Sequence, residues 1–229
     1  MKRQFIALAV RIVLAFLYVP VALFSSAGTL DWPQAWAFIL LLSLLGIGGL
    51  VIVHRKQPGL IDERKKFLKA EGTKKWDKIL APLVAIAGPL TVFVIAGLDK
   101  RFGWSPKFPL VLEIAAFLLT AVGYALAFWA MAVNKFFSSV VRIQKERGHT
   151  VVSAGPYKFV RHPGYSGAIL AQISTAVLLG SVWAINAALV VSGLFVIRTI
   201  LEDTTLKKEL AGYADYAQKV HCRLIPFLW

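Results

Sequence analysis

The chain has 229 residues, of which 58% are hydrophobic and 17% charged, with a mean hydropathy of +0.67. That composition excludes an ordinary soluble domain. The net charge of +14 invites a nucleic acid partner, but the basic residues are spread among separate loops rather than gathered in one patch, which argues for anionic lipid headgroups instead.

A helix needs about 20 apolar residues to cross roughly 30 Å of hydrocarbon. Six stretches meet or approach that length: residues 5–27, 35–53, 79–98, 109–133, 165–179 and 182–200. The expected fold is therefore all-α, a polytopic transmembrane helical protein of about six spans. The fifth stretch is short, and Gly180-Ser181 alone separates it from the sixth, so the pair reads as a tight helical hairpin.

Lysines and arginines sort strongly by side. Two precede the first span, nine lie from Arg55 to Lys78, six from Lys135 to Arg161 and five from Arg198 onward, whereas the opposite face has Lys100, Arg101 and Lys107. The positive-inside rule then places both termini in the cytoplasm. Arg11 lies inside the first span, within snorkelling reach of the cytoplasmic headgroups. Lys2 and Arg3 ahead of an apolar run resemble a signal peptide, but the length of that run, Arg11 and five further spans favour a retained helix. Cys222, the single cysteine, excludes an internal disulfide.

Residues 1–133 read as a helical scaffold within a single membrane domain. The loop from His54 to Lys78 carries Pro58-Gly59 and Glu71-Gly72 turns around a charged stretch suited to an interfacial helix. Residues 134–229 differ, because their cytoplasmic segments are dense in His, Tyr, Arg and Gly. There, Pro163 in Arg161-His162-Pro163-Gly164-Tyr165 starts the fifth helix, whose free N–H groups and dipole suit a carboxylate or phosphate.

A basic interfacial turn with belt tyrosines would explain the same composition, but Gly155-Pro156 adds a second rigid corner nearby. Arg198 and Glu202, four apart, share a helix face, in the order less favourable for a simple helix salt bridge, so they read as a binding pair or as interfacial anchors. The segment with Gly212, Tyr213 and Tyr216 reads as a cytoplasmic helix reaching toward Pro226. There is no HExxH, cysteine cluster, Walker loop, GxGxxG or GxSxG.

Gly155-Pro156-Tyr157, then Arg161-His162-Pro163-x-Tyr165-x-Gly167, a hairpin, Arg198-x-x-x-Glu202-Asp203-x-x-Leu206 and Gly212-Tyr213-x-x-Tyr216 before Ile225-Pro226 form an ordered set over about the last 95 residues. This set resembles the isoprenylcysteine carboxyl methyltransferase family, in its prokaryotic-type form. The resemblance implies S-adenosyl-L-methionine as cofactor, held by Gln144, His149, Thr150, Val151, Val152, Tyr157, His162, Pro163, Gly164, Tyr165 and Glu202, with no metal. It implies Arg198 as the substrate-side arginine, and Arg198 with Glu202 as the catalytic pair. The loop between Gln144 and His149 is shorter than in eukaryotic members.

The implied acceptor is a lipophilic small molecule or prenylated carboxylate, such as a prenylcysteine-like or isoprenoid acid, met within the lipid bilayer. An amine or thiol acceptor would instead need Glu202 or His162 as a base. Membrane sterol reductases, which use NADPH, share the hairpin and an RHP-like motif, but often have Asn before the tyrosine and Glu after the glycine, where this chain has Gly164 and Ala168. A non-catalytic scaffold or sensor is the third reading. Compactness and motif pattern point to a plasma (cell inner) membrane, with the endoplasmic reticulum as the alternative.

Overall fold

A computed structural model describes residues 17–67 and 70–229. The expected first span is seen from residue 17, as α1 (Leu17–Ala27). Its earlier part, with Lys2, Arg3 and Arg11, lies outside the described residues.

Four helices are long and apolar enough to cross a membrane: α2 (Pro33–Lys56), α4 (Asp77–Phe102), α5 (Leu110–Val133) and α7 (Val182–Glu209). Each exceeds the roughly 20 residues that a bilayer demands. Between them, α3 (Leu60–Lys65) is a six-residue helix in the first long loop, and α6 (Pro163–Leu178) has 16 residues. At 1.5 Å per residue α6 is about 24 Å long, short of the hydrocarbon thickness. All the described regular structure is helical, and the leucines, isoleucines and valines of α2 and α5 that point outward, Leu40, Leu44, Leu110 and Val111 among them, are exposed. An exposed apolar belt of this extent is a lipid-facing surface. The protein is an all-helical polytopic membrane protein.

Small residues set the packing around the site. A Cβ on Gly123 of α5 would lie 2.6 Å from the Ala171 nitrogen, and one on Gly167 of α6 2.5 Å from the Gly123 oxygen, so these two backbones touch. Such contact lets two short apolar surfaces pack tightly where lipid offers no hydrophobic drive. The α6–α7 hairpin closes at Gly180, with φ of +73°; its N–H bonds Val177 O and that of Ser181 bonds Ala176 O, the paired bonds of a Schellman turn. Ser181 then caps α7 by accepting from the Ala184 N–H.

Two deviations from a plain bundle matter. In α4, Pro82 and Pro89 flank a π turn at Leu83–Ala87, where Tyr18 of α1 donates to Ile86 O at 2.8 Å. Proline's missing N–H and its ring explain the widened turn. Beyond the expected end at residue 200, α7 runs on to Glu209. The expected single cytoplasmic helix after it is interrupted, because Gly212 at φ +78° breaks the chain before α8 (Tyr213–Lys219), and residues from 220 onward are not helical.

Candidate active site

The residues singled out in the sequence converge at one end of the bundle. α6 begins at Pro163, with His162 as the residue before its first turn. Gly155, at φ +57°, opens a 3-10 turn through Lys158, and a side chain there would lie 2.9 Å from Val133 Cγ2, so this corner admits only glycine. That turn delivers Tyr157, whose hydroxyl accepts from Asn134 Nδ2 at 3.1 Å and whose carbonyl accepts from the Tyr216 hydroxyl at 2.7 Å.

A cleft lies between the 134–152 loop, the start of α6, the far end of α7 and α8. His149, Thr150, Val151 and Val152 line one side; Tyr157, His162, Gly164, Tyr165 and Glu202 line the other. Three of the anticipated residues do not line it. Gln144 is fully buried, with its Nε2 donating to Phe136 O at 2.7 Å and its Oε1 accepting from Arg147, so it braces the loop. Pro163 is buried in the first turn of α6. Arg198 lies behind Tyr165, with its guanidinium carbon 5.1 Å from that ring's centre.

Arg198 and Glu202 do not pair with each other. Asp77, at the start of α4, takes Arg198 bidentately, at 2.7 Å to Nε and 3.0 Å to Nη2, and also accepts the Val141 N–H at 2.6 Å. Ser139 O accepts from the same Nη2 at 3.0 Å, leaving Nη1 as the guanidinium nitrogen not committed to Asp77 or Ser139. Glu202 instead accepts the Tyr165 hydroxyl, and His162 Nδ1 stands 4.0 Å from its carboxylate. The His162 and Tyr165 rings are stacked, 5.7 Å apart and 7° from parallel.

Asp203, next to Glu202, points the other way. It holds Arg161 at 2.7 and 3.0 Å, Tyr213 at 3.0 Å, Lys207 at 3.2 Å and Arg223 at 3.3 Å. The 220–224 segment is docked by the same neighbourhood: Arg161 N–H bonds Cys222 O, His162 N–H bonds Arg223 O, and Arg161 Nη1 bonds Val220 O and His221 O. His162 is thus placed by the C-terminal segment as well as by Pro163.

Burial raises the Tyr157, Tyr213 and Tyr216 hydroxyls, with Asp203 adding to the last two, so all three remain protonated donors at neutral pH. His149 moves the other way, down to about 4, because burial disfavours its charged form and the Arg142 and Arg147 charges reinforce this. Its Nδ1 accepts the Gln144 N–H at 3.3 Å, which places the proton on Nε2.

A pH dependence follows from His149. Its folded value lies below the ordinary 6.5, so its contribution to stability is full above about pH 6.5 and declines as pH falls toward 4, where the unfolded chain accepts the proton first. Over that window the unfolding midpoint of detergent-solubilised His149→Gln should fall less steeply than that of the wild type. Equal slopes would show that His149 titrates normally.

Sequence reasoning missed Asp77, Arg142 and Asn134. Arg142 lines the cleft and is buried against Glu63 of α3, at 3.0 Å from Nε with a second contact from Nη2, so the first long loop is tied to the loop of the cleft. Lys74 adds a link to Glu209 at 2.6 Å. A signal was present at Asp77: an acid at the mouth of an apolar span, amid lysines, needs a cation.

Residues 114–208 match the Isoprenylcysteine carboxyl methyltransferase (ICMT) family. That matched segment carries the family's signature. Protein-S-isoprenylcysteine O-methyltransferase B of Arabidopsis thaliana is 29% identical over 151 residues, 65% of this chain and 73% of that protein. The probable protein-S-isoprenylcysteine O-methyltransferase of Oryza sativa subsp. japonica is 33% identical over 43% of this chain and 52% of its own length. The protein-S-isoprenylcysteine O-methyltransferase of Homo sapiens is 32% identical over 51% and 42% respectively. The solved structure of a eukaryotic intramembrane Ras methyltransferase ICMT covers 96% of this chain and 86% of its own at TM-score 0.52 and 21% identity, a likeness of fold. These likenesses make the protein a protein-S-isoprenylcysteine O-methyltransferase-like enzyme.

Proposed function

We propose that this protein transfers a methyl group from S-adenosylmethionine to the carboxylate of a lipophilic acceptor, a prenylcysteine-like or isoprenoid acid, at the cytoplasmic membrane surface. The observation that carries the reading is the cleft itself, where Glu202, Tyr165 and His162 meet the first turn of α6 and the 149–152 backbone beside lipid-facing helices. The distribution of basic residues supports a cytoplasmic position for this end and, with six crossings, for both termini.

The donor set fits the cofactor. Glu202 offers a carboxylate to a cationic group, the first turn of α6 offers a positive dipole end to an anionic one, and Tyr157, Tyr213 and Tyr216 offer aromatic walls to a purine. When bound there, S-adenosylmethionine supplies an electrophilic methyl group. The chain's own task is then positioning and charge complementarity, the main sources of acceleration in such a displacement. Tyr165 holds Glu202 in place by donating to it, while Asp77 fixes the plane of Arg198, the arginine assigned to the acceptor by resemblance. A carboxylate acceptor is ionised at neutral pH, so no side chain need act as a base.

Equilibrium binding of S-adenosylmethionine and, separately, NADPH to detergent-purified protein tests this. S-adenosylmethionine should bind the wild type and lose about tenfold or more in affinity with Glu202→Ala and His162→Ala, as a charged hydrogen bond of about 1.5–3 kcal/mol implies. Binding of NADPH in its place would move the protein to the reductases. Undiminished binding by both variants would sink the site.

A further inference from the structure

Glu63 and Arg64 are neighbours on α3, yet they lead different lives. Glu63 is buried and bonded to Arg142 and Lys66, which fixes the rotation of the short helix, and Leu60 anchors its start in a cluster with Val53 and Ala132. Arg64 is half-buried, with its guanidinium carbon 5.4 Å from the centre of the Phe137 ring. Phe137 lines the cleft and lies over Gly164, so close that a Cβ there would come within 2.6 Å of its ring. Arg64 therefore stands immediately behind the cleft wall.

No carboxylate lies within salt-bridge distance of Arg64 among the described residues. The nearby acids are committed: Asp77 to Arg198, Glu202 to Tyr165, Glu63 to Arg142 and Lys66. The charge that Arg64 does feel is that of Arg198, and burial together with this repulsion lowers its affinity for a proton, while the Tyr165 hydroxyl acts in the opposite sense. Arg64 and Arg198 thus stand behind two rings of the same cleft, Phe137 and Tyr165, with Asp77 already bound to Arg198. A partly buried cation is costly until an anion joins it.

We propose that Arg64 is a second cationic residue of the acceptor site and, with Arg198, takes the acceptor's carboxylate. The inference rests on the acceptor class proposed above. Asp77 already neutralises Arg198, so the charge that selects an anion over a neutral analogue comes from Arg64. Arg64 also lies outside residues 114–208, which places part of the acceptor selection in the first long loop.

The test uses an S-prenylated cysteine with a free carboxylate as substrate and its carboxamide as competitor, with wild type, Arg64→Gln and Arg64→Lys. Arg64→Gln should raise KM for the carboxylate about tenfold or more and bring the carboxylate-to-carboxamide affinity ratio toward one. Its S-adenosylmethionine affinity and thermal midpoint should not fall, since the variant removes a cation with no acid partner among the described residues, and Arg64→Lys should recover part of the KM. An unchanged KM and ratio in Arg64→Gln would overturn the role of Arg64 while leaving the acceptor reading intact. A wild type that neither methylates the carboxylate nor prefers it to the carboxamide would overturn both.

Discussion

Asp77→Ala is expected to cost about 3–5 kcal/mol of stability and to abolish methyl transfer, through one cause. Asp77 is wholly buried and Arg198 is 5% exposed, so the substitution strands a guanidinium with neither water nor counter-ion. It also leaves the Val141 N–H without its acceptor. The unfolding midpoint and activity of the detergent-purified variant read the two effects together. They separate in the double variant Asp77→Leu, Arg198→Met, where both charges give way to apolar side chains of similar size. Stability should largely return there, because a buried ion pair is often worth no more than well-packed hydrocarbon, while activity should stay absent. A wild-type midpoint for Asp77→Ala would show that Arg198 finds water or another partner, and the account of this pair would fail.

The membrane helices were legible because their signal is long and redundant. The seen ends of α5 and the α6–α7 turn fall within a residue or two of those expected, since Pro109, Pro163 and Gly180 mark them. The continuation of α7 to Glu209 was not legible. The residues after the apolar run read as a separate cytoplasmic helix, whereas they continue α7 without a break, with Leu206 packed against the cluster of Leu210, Tyr213 and Tyr216. The break at Gly212 is the conformational freedom of glycine acting where a continuous helix was expected.

In the site, the contiguous part was readable and the distant part was not. His162, Gly164 and Tyr165 are neighbours around the first turn of α6, so one short motif contains them. Asp77 reaches Arg198 across 121 residues, and nothing local announces such a contact. The i,i+4 spacing of Arg198 and Glu202 was correct as geometry, but each found a better partner on another helix: a bidentate carboxylate for the guanidinium and a buried hydroxyl for the carboxylate. Gln144 likewise satisfies its amide within its own loop, which sequence spacing alone could not reveal.

The second large effect is expected at Asp203, and it reaches the site through the chain terminus. Asp203 and Arg161 have side chains only 2% and 3% exposed, whereas Lys207 and Arg223 are 41% and 29% exposed and contribute little as ion pairs. Asp203→Ala should therefore cost about 3–5 kcal/mol, nearly all of it from the stranded Arg161. Arg161 also holds Val220 O and His221 O, and its neighbour His162 is held by Arg223 O. Loosening Arg161 frees the 220–224 segment, and with it the position of His162. Hydrogen exchange should rise at Arg161 and His162, the donors of the backbone bonds to this segment, before the helices open, and S-adenosylmethionine affinity should fall in step. If affinity falls while exchange there is unchanged, Asp203 acts on the cleft directly through Tyr213 and His162, and the C-terminal segment is only a neighbour.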